Sequence, residues 1–285
     1  MQPEVPSIIT ISSHVAYGAV GNRIIVPALE ALGISVTALS TVQLPWHPGM
    51  NDAFGKGVRI APDDAAFARV IDNLCTAPWL GGIDGMITGY LGSAAQAEVI
   101  AKLVVALKNA SPKALYLCDP VIGDNDGLYV PEVTAAAIRD HLWPLADVVT
   151  PNLFEFGWMT GQTSADRVDI IEAALVLAKN HVVVTSVGID KNKIGNLSVS
   201  TDQSTMISHQ ALSPTPNGTG DMLAALFLGH LVKGESSTDA LAKAASAVVA
   251  AIQYANSHHQ PSLAPEHLRD ALEQGLAEIL VEKLD

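Results

Sequence analysis

From residue 7 to about residue 186 the chain alternates short β-branched, apolar runs with longer stretches of helical spacing, and this alternation is what most restricts its fold. "SIITISS" (7–13) reads as a buried strand, "VGNRIIVPALEALG" (20–33) as a helix stopped by Gly33, and "ISVTALSTVQL" (34–44) as the next strand. The same order recurs downstream. A helix is predicted over 62–75, a strand over 83–89, a helix over 93–110, a strand over 113–119, and a helix near 131–143. A strand follows at 146–151, then helices around 153–180 and a strand at 181–186. Strands that are apolar on both faces and joined through helices predict a mainly parallel sheet covered on both sides, a three-layer α/β sandwich.

Beyond residue 186 the period changes. "IGNLSVSTDQSTMISHQAL" (194–212) alternates apolar and polar residues about a "TDQS" turn and predicts an antiparallel hairpin. A helix beginning at "GTGD" and two more, over 236–257 and 265–283, complete the reading. No linker, repeat or low-complexity tract interrupts it, so one domain over 1–285 is expected.

The 285 residues are 49% hydrophobic, ample for a core of this kind. A net charge of −13, from 16 Lys and Arg against 29 Asp and Glu, argues against a nucleic-acid surface and against a basic membrane patch. No run of 18 apolar residues occurs and the N-terminus lacks the order of a secretory signal, so a cytoplasmic setting is expected. The two cysteines, Cys75 and Cys118, speak against a disulfide framework or a cysteine metal site.

In an open parallel sheet, ligands bind beyond the carboxyl ends of the strands. Those ends carry "SSH", "QLPWHPGM", "TGYLG", "CDPVIGDNDG", "TPNLFE" and "TSVG". Three carboxylates stand there, Asp119, Asp124 and Glu155, without a matching run of Lys or Arg, a pattern suited to a divalent cation held partly through water. Each also has a structural reading: Asp119 as a turn cap before Pro120, and Asn152 with Glu155 as a helix capping pair.

The segment "SPTPNGTGDMLAALFLGHLVKG" (213–234) passes abruptly from turn formers to an apolar helix and places Asp221 at the junction. A helix N-terminus offers unpaired N–H groups and positive potential, an anion site. No phosphate loop of the Gly-x-x-x-x-Gly-Lys type occurs, because Lys56 is followed by glycine. "GTG" lacks the third glycine of a dinucleotide fingerprint, and no Gly-x-Ser-x-Gly elbow exists. The remaining reading is phosphoryl transfer: backbone amides of Gly218, Thr219 and Gly220 form an anion hole, and Asp221 accepts the substrate's hydroxyl proton.

The motifs "SSHVAYGAVGN", "TVQLPWH", "TGYLG", "CDPVIGD", "PLADVVTPNLFE" and "GTGDMLAALFL", in that order over nearly the whole chain, resemble the pyridoxal kinases of the ribokinase-like superfamily. The resemblance implies a ribokinase-like sandwich that phosphorylates the 5′-hydroxymethyl group of a B6 vitamer with ATP, Mg²⁺ and a monovalent cation such as K⁺, as a homodimer. It implies Asp221 as base, Gly218, Thr219 and Gly220 as anion hole, and Ser13, His47 and Tyr90 around the pyridine ring. Asp119, Thr150 and Thr185 match positions that hold the monovalent cation or organise phosphates; Asp124, Asn152 and Glu155 match the metal and phosphate region. Tyr129 and Ser186 match positions near the ATP phosphates.

The departure from the family lies in 44–50, "LPWHPGM". Relatives carry an aromatic residue, then Ser-Asn-His-Thr and a further aromatic, so the hydroxyl expected at Pro48 is missing. The alternatives are hydroxymethylpyrimidine kinase, whose anion-hole loop commonly carries Cys where this chain has Asp221, and a non-catalytic nucleotide-binding regulator on the same fold. His47 also has a plain reading as a loop cap, and Tyr90 one as a core aromatic.

Overall fold

The computed structural model describes residues 5–273 and 279–284. In chain order its elements are β1 (Ser7–Tyr17), α1 (Asn22–Ala31), β2 (Ser35–Trp46), α2 (Asn51–Phe54), α3 (Asp64–Cys75), β3 (Gly85–Thr88), α4 (Ala94–Ala110), β4 (Leu115–Cys118), β5 (Gly123–Asp124) and β6 (Gly127–Leu128). Then come α5 (Glu132–Ala137), β7 (Val148–Val149), α6 (Leu153–Thr160), α7 (Arg167–Val176), β8 (His181–Gly188), β9 (Lys193–Val199), β10 (Ser204–Gln210), α8 (Thr219–Val232), α9 (Ser237–Ser257), α10 (Leu268–Glu273) and β11 (Leu280–Leu284).

Among the described residues the main sheet runs β11-β10-β9-β8-β7-β4-β3-β1-β2. The six strands from β2 to β8 are parallel, and β9, β10 and β11 extend the sheet antiparallel. Period-2 side chains explain the two helical layers. Ile9, Ile11, Met86, Tyr116, Val182 and Val184 join one core with α3 to α7, whereas Ile8, Ile87, Leu117 and Val183 join a second core with α1, α8 and α9. Both sheet faces are therefore dry. Helix α8 is buried along Met222–His230, which is why its sequence is apolar on every side.

This is the ribokinase-like, three-layer arrangement expected from the sequence. One element is corrected. The helix predicted over 265–283 is instead a 3₁₀ turn at Pro265–His267, the short α10, and strand β11; residues 274–278 lie outside the described residues. "LVEKL" fits period 2 as well as period 3.6, and pairing Leu280–Leu284 with β10 satisfies backbone groups that an open edge would leave bare. The β5–β6 hairpin, whose turn carries Gly127 at φ 112°, was also outside the sequence reading.

Strand β1 has β2 on one side and β3 on the other, so the connection order reverses there. That is the switch point at which an open α/β sheet leaves a crevice. The N-terminus of α8 lies against it.

Candidate active site

Five helices, α3, α4, α6, α7 and α9, begin with a side chain that caps their first N–H groups: Asp63, Ser93, Asn152, Asp166 and Ser236. Helix α8 does not. Its N-cap is Gly218, left-handed at φ 93°, and no side chain caps the turn. A Cβ on Gly218 would stand 1.8 Å from the Ala19 carbonyl oxygen, so glycine is obligatory for the backbone approach. Gly220 differs: a Cβ there would meet nothing within 4 Å, so the space before it is open.

Asp221 follows in the first turn. Its Oδ2 accepts a hydrogen bond from the backbone N–H of Gly21 at 3.0 Å, which joins α8 to the loop after β1. Its Oδ1 is buried and has no hydrogen-bond partner, although the residue as a whole is only partly buried. Burial raises the carboxyl to about pKa 6, and the Gly21 N–H holds it down in part. Gly21 sits at φ 56°, and a Cβ there would lie 2.3 Å from the Ser13 carbonyl oxygen and 2.5 Å from Ser13 Oγ. Ser13, itself buried, thereby packs against the same Gly21 whose N–H holds Asp221.

A second group of acids faces the same crevice. Asp119, at the end of β4, is 7% exposed, and its carboxyl is raised well above the usual range by burial, then by Glu155 and Asp221. The Thr150 hydroxyl tempers that rise, yet Thr150 Oγ1 is buried and makes no hydrogen bond of normal geometry. Glu155 completes a capping box with Asn152: Asn152 Oδ1 accepts from Glu155 N at 2.9 Å, and Glu155 Oε2 accepts from Asn152 N at 2.9 Å. Glu155 Oε1 also accepts from Ile122 N at 2.8 Å, while Asn152 Nδ2 donates to Gly123 O at 2.8 Å. The pair therefore clamps the "PVIGD" loop, including Val121 at φ 45°, a conformation a β-branched residue adopts only under constraint. Burial raises the Glu155 carboxyl to about pKa 7 against these hydrogen bonds.

Asp124 is exposed on the β5–β6 hairpin, where its Oδ1 accepts from Asp126 N. Tyr129 is half exposed; partial burial, then Glu155, Asp119, Asp221 and Asp124, all raise its hydroxyl, which puts it in the field of all four acids. Among the described residues no Lys or Arg pairs with any of them. Nor do three acidic, His or Cys side chains converge as a ready-made metal cage. Glu155 is committed to backbone N–H groups, which leaves Asp119 and the orphaned Thr150 hydroxyl as the donors that fit a cation, with water and ligand oxygens completing its shell.

Strand β8 carries a bulge between Val184 and Val187, and Ser186 there has φ 60°. Thr185 N donates to Pro151 O at 2.8 Å and forms a bridge with Asn152, tying this bulge to the acid cluster. Thr185, Ser186, Thr219 and Gly220 line one open cleft of about 140 Å³ whose apolar floor is Leu212, Leu223, Val248 and Ile252. The floor was not read from the sequence, because isolated aliphatic residues on α8, α9 and a loop carry no local signal. Its apolar floor and hydroxyl-rich rim suit an aromatic base with attached phosphates.

In the loop after β2, His47 Nδ1 accepts from Gly49 N at 3.1 Å and caps the short turn Pro48–Met50, so the plain cap reading is realised. Burial lowers its pKa, and the neutral ring carries its proton on Nε2, free to donate. A Cβ on Gly49 would lie 3.3 Å from Asn217 Nδ2, so this loop touches the residue just before Gly218 and the uncapped start of α8. Trp46 Nε1 is occupied by Asn51 Oδ1 and Gly55 O, and Tyr17, Trp46 and Phe54 form an edge-to-face cluster over the loop. Tyr90 is partly buried against the α4-side core, and its carbonyl accepts from Thr41 Oγ1. The positions that sequence reading passed over are Gly21 and Gly89, whose backbones press against Ser13 and Ser12, and Asn217, whose side-chain amide reaches the Gly49 loop. For Gly21 and Gly89 the only sequence signal was glycine inside a motif.

Residues 74–264 match the family model described as phosphomethylpyrimidine kinase. Pyridoxal kinase PdxY of Corynebacterium diphtheriae is 34% identical over 249 residues, 85% of this chain and 87% of the relative. Its counterpart in Leifsonia xyli subsp. xyli is 36% identical over 248 residues, 85% of this chain and 86% of the relative. The solved structure of pyridoxal kinase from Leishmania donovani in complex with ADP and pyridoxamine superposes with a TM-score of 0.88 at 25% identity, covering 98% of this chain and 99% of that one. With the uncapped α8 terminus, its buried aspartate and the adjoining cleft, these similarities place the chain in the pyridoxal kinase family.

Proposed function

We propose that this protein transfers the γ-phosphoryl group of ATP to the 5′-hydroxyl of pyridoxal, and of pyridoxine or pyridoxamine to a degree its ring loop sets. The carrying observation is Asp221: one oxygen is fixed by Gly21, and the other is buried and unpartnered beside an uncapped helix N-terminus. Asp221 Oδ1 accepts the proton of the substrate hydroxyl as its oxygen bonds to phosphorus and the bond to the ADP oxygen breaks. The free N–H groups at Thr219 and Gly220 stabilise negative charge on the phosphoryl oxygens in flight. ATP is read as the occupant of the cleft floored by Leu212, Val248 and Ile252, and the vitamer as that of the space between Ser13 and His47.

Asp119 and Thr150 are proposed to hold cations, with Asp124, Asn152, Glu155, Tyr129, Thr185 and Ser186 arranging phosphates around them. Mg²⁺, when bound, supplies charge neutralisation of the phosphates, and K⁺ is the proposed monovalent partner. A homodimer, a single domain over the chain and a cytoplasmic setting belong to the same proposal; no helix among the described residues is long and apolar enough to cross a membrane.

The deciding experiment measures ADP release with pyridoxal, pyridoxine, pyridoxamine and hydroxymethylpyrimidine in turn. The reading requires the highest kcat/KM among the B6 vitamers. A clear preference for hydroxymethylpyrimidine, or no turnover with any of the four, overturns it.

A further inference from the structure

The cleft proposed for ATP is apolar along its floor, but one wall is not. Strands β9 and β10 turn alternate side chains to opposite faces, and Leu197, Val199 and Met206 join the core on the α3 to α7 side. Ile207 joins the other core, against α8 and α9. Asn196 is the cross-strand partner of Ile207, and His209 follows Ile207 two residues along β10, so both stand on the α8–α9 side. There they line the cleft together with Leu223, Val248 and Ile252.

Asn196 is only 8% exposed, yet its side-chain amide has no hydrogen-bond partner among the described residues. An amide so nearly buried forfeits the bonds it had in water unless a ligand replaces them. Neither Oδ1 nor Nδ2 is sealed off, so what surface remains to it opens on the cleft. His209 is partly buried, and its Nδ1 lies 2.8 Å from Gln210 O. A carbonyl oxygen only accepts, so Nδ1 donates, and Nε2 of the neutral ring is left as an acceptor.

The order of the strands gives these two groups a target. Asn196 lies opposite the β8 bulge that carries Thr185 and Ser186, and His209 lies one strand further out, on β10. A nucleotide with its phosphates at Thr185, Ser186, Thr219 and Gly220 therefore extends its nucleoside over β9 towards β10. We infer that Asn196 and His209 read the edge of the purine base, and that His209 selects adenine, with its exocyclic amine, over a base with an oxo group in that place. The amine donates to His209 Nε2, whereas an oxo oxygen would set lone pair against lone pair. Asn196 carries a donor and an acceptor on one amide and can turn to suit either base, so it adds affinity without choosing. The inference rests on the proposal that this cleft holds ATP.

The test is equilibrium titration at pH 8 with ADP and with IDP, its 6-oxo counterpart, each with Mg²⁺. The wild type is expected to bind ADP about tenfold more tightly than IDP. His209→Phe keeps a ring of similar size without the acceptor, and is expected to bring the two within about twofold by weakening ADP. Asn196→Leu is expected to weaken both about threefold to tenfold and to keep their ratio. Tm is expected to hold in both variants. Wild-type affinities for ADP and IDP within about twofold of each other overturn the inference, as does an unchanged ratio in His209→Phe or unchanged affinities in Asn196→Leu. Leu212→Trp, which fills the cleft from a loop, separates this inference from the reading beneath it. If Leu212→Trp binds ADP as the wild type does, the nucleotide lies elsewhere and both fall; if it loses ADP while His209→Phe keeps the wild-type ratio, only the base-reading role falls.

Discussion

Asp221 owes its proposed power to contrast between its two oxygens. Oδ2 is anchored by Gly21, so the side chain does not have to be ordered during the reaction, and Oδ1 is dry and without a partner until substrate arrives. Asp221→Asn keeps that shape and removes the proton acceptor. It is expected to cost about 10² to 10⁴ in kcat with substrate affinities kept within several-fold, read from steady-state rates and nucleotide titration. Because burial raises the carboxyl to about pKa 6, and the base works only when ionised, kcat/KM is expected to fall as pH drops below about 6. A flat profile from pH 5 to 8 would count against this base. The glycines of the loop make a matched pair. Gly218→Ala drives a Cβ into the Ala19 carbonyl at positive φ and is expected to lower stability by at least about 1 to 3 kcal/mol. Gly220→Ala meets open space, so Tm holds while turnover falls, because the methyl enters the room proposed for the phosphoryl group. Equal effects of the two on Tm would reduce the loop to an ordinary helix start.

At the scale of elements, the site is made by loops that helices hold still. The capping box of α6 does double duty, since Asn152 and Glu155 cap the helix and also clamp the loop after β4 that carries strained Val121. Asn152→Ala therefore removes a cap, worth about 1 kcal/mol of stability, and frees the 120–124 loop. Its KM for ATP is expected to rise more than its Tm loss explains, as a thermal melt and a nucleotide titration will show. The loop after β2 is the one proposed to set the vitamer side. Pro48 begins a turn capped by His47 and offers no side-chain donor, so Pro48→Thr is expected to lower KM for pyridoxal roughly threefold to tenfold by restoring one hydrogen bond. An unchanged or higher KM means that the ring does not meet this position.

For the molecule as a whole, the acids of the crevice dominate the pH response. Asp221 and Glu155 are raised to about 6 and about 7, and Asp119 is raised with them, so the folded state binds more protons than the unfolded chain above pH 4. Stability without ligands is therefore expected to fall as pH rises from about 4 to about 7, the window between their unfolded and folded values. Mg²⁺ with nucleotide should restore it most at the upper end, where the carboxylates are ionised. Melting curves from pH 5 to 8 with and without Mg²⁺ and ADP check the sign, and a Tm that rises steadily with pH in the ligand-free protein contradicts it.

Local sequence by itself determined the layers of this protein and the place of its candidate site. Apolar strands with both alternating faces dry, at "SIITISS" and "HVVVTS", leave no option but helices above and below, and an apolar α8 opening at "GTGD" has to be central with its N-terminus at a strand end. Glycine and carboxylate at such a junction are legible because their physics is local. The tertiary structure decided everything that depends on distance across the chain. Residues 280–284 became a strand because β10 offered an open edge, against a helical reading equally allowed by "LVEKL". Glu155 became a clamp because Ile122 came within 2.8 Å of it, and the floor of the cleft proposed for the nucleotide arose from Leu212, Val248 and Ile252 meeting from separate elements. Asp221 found Gly21, 200 positions away, only once α8 had packed against the switch point of the sheet. Hydrophobic period is a property of neighbours in sequence, whereas desolvation and hydrogen bonding of a buried carboxylate are properties of neighbours in space.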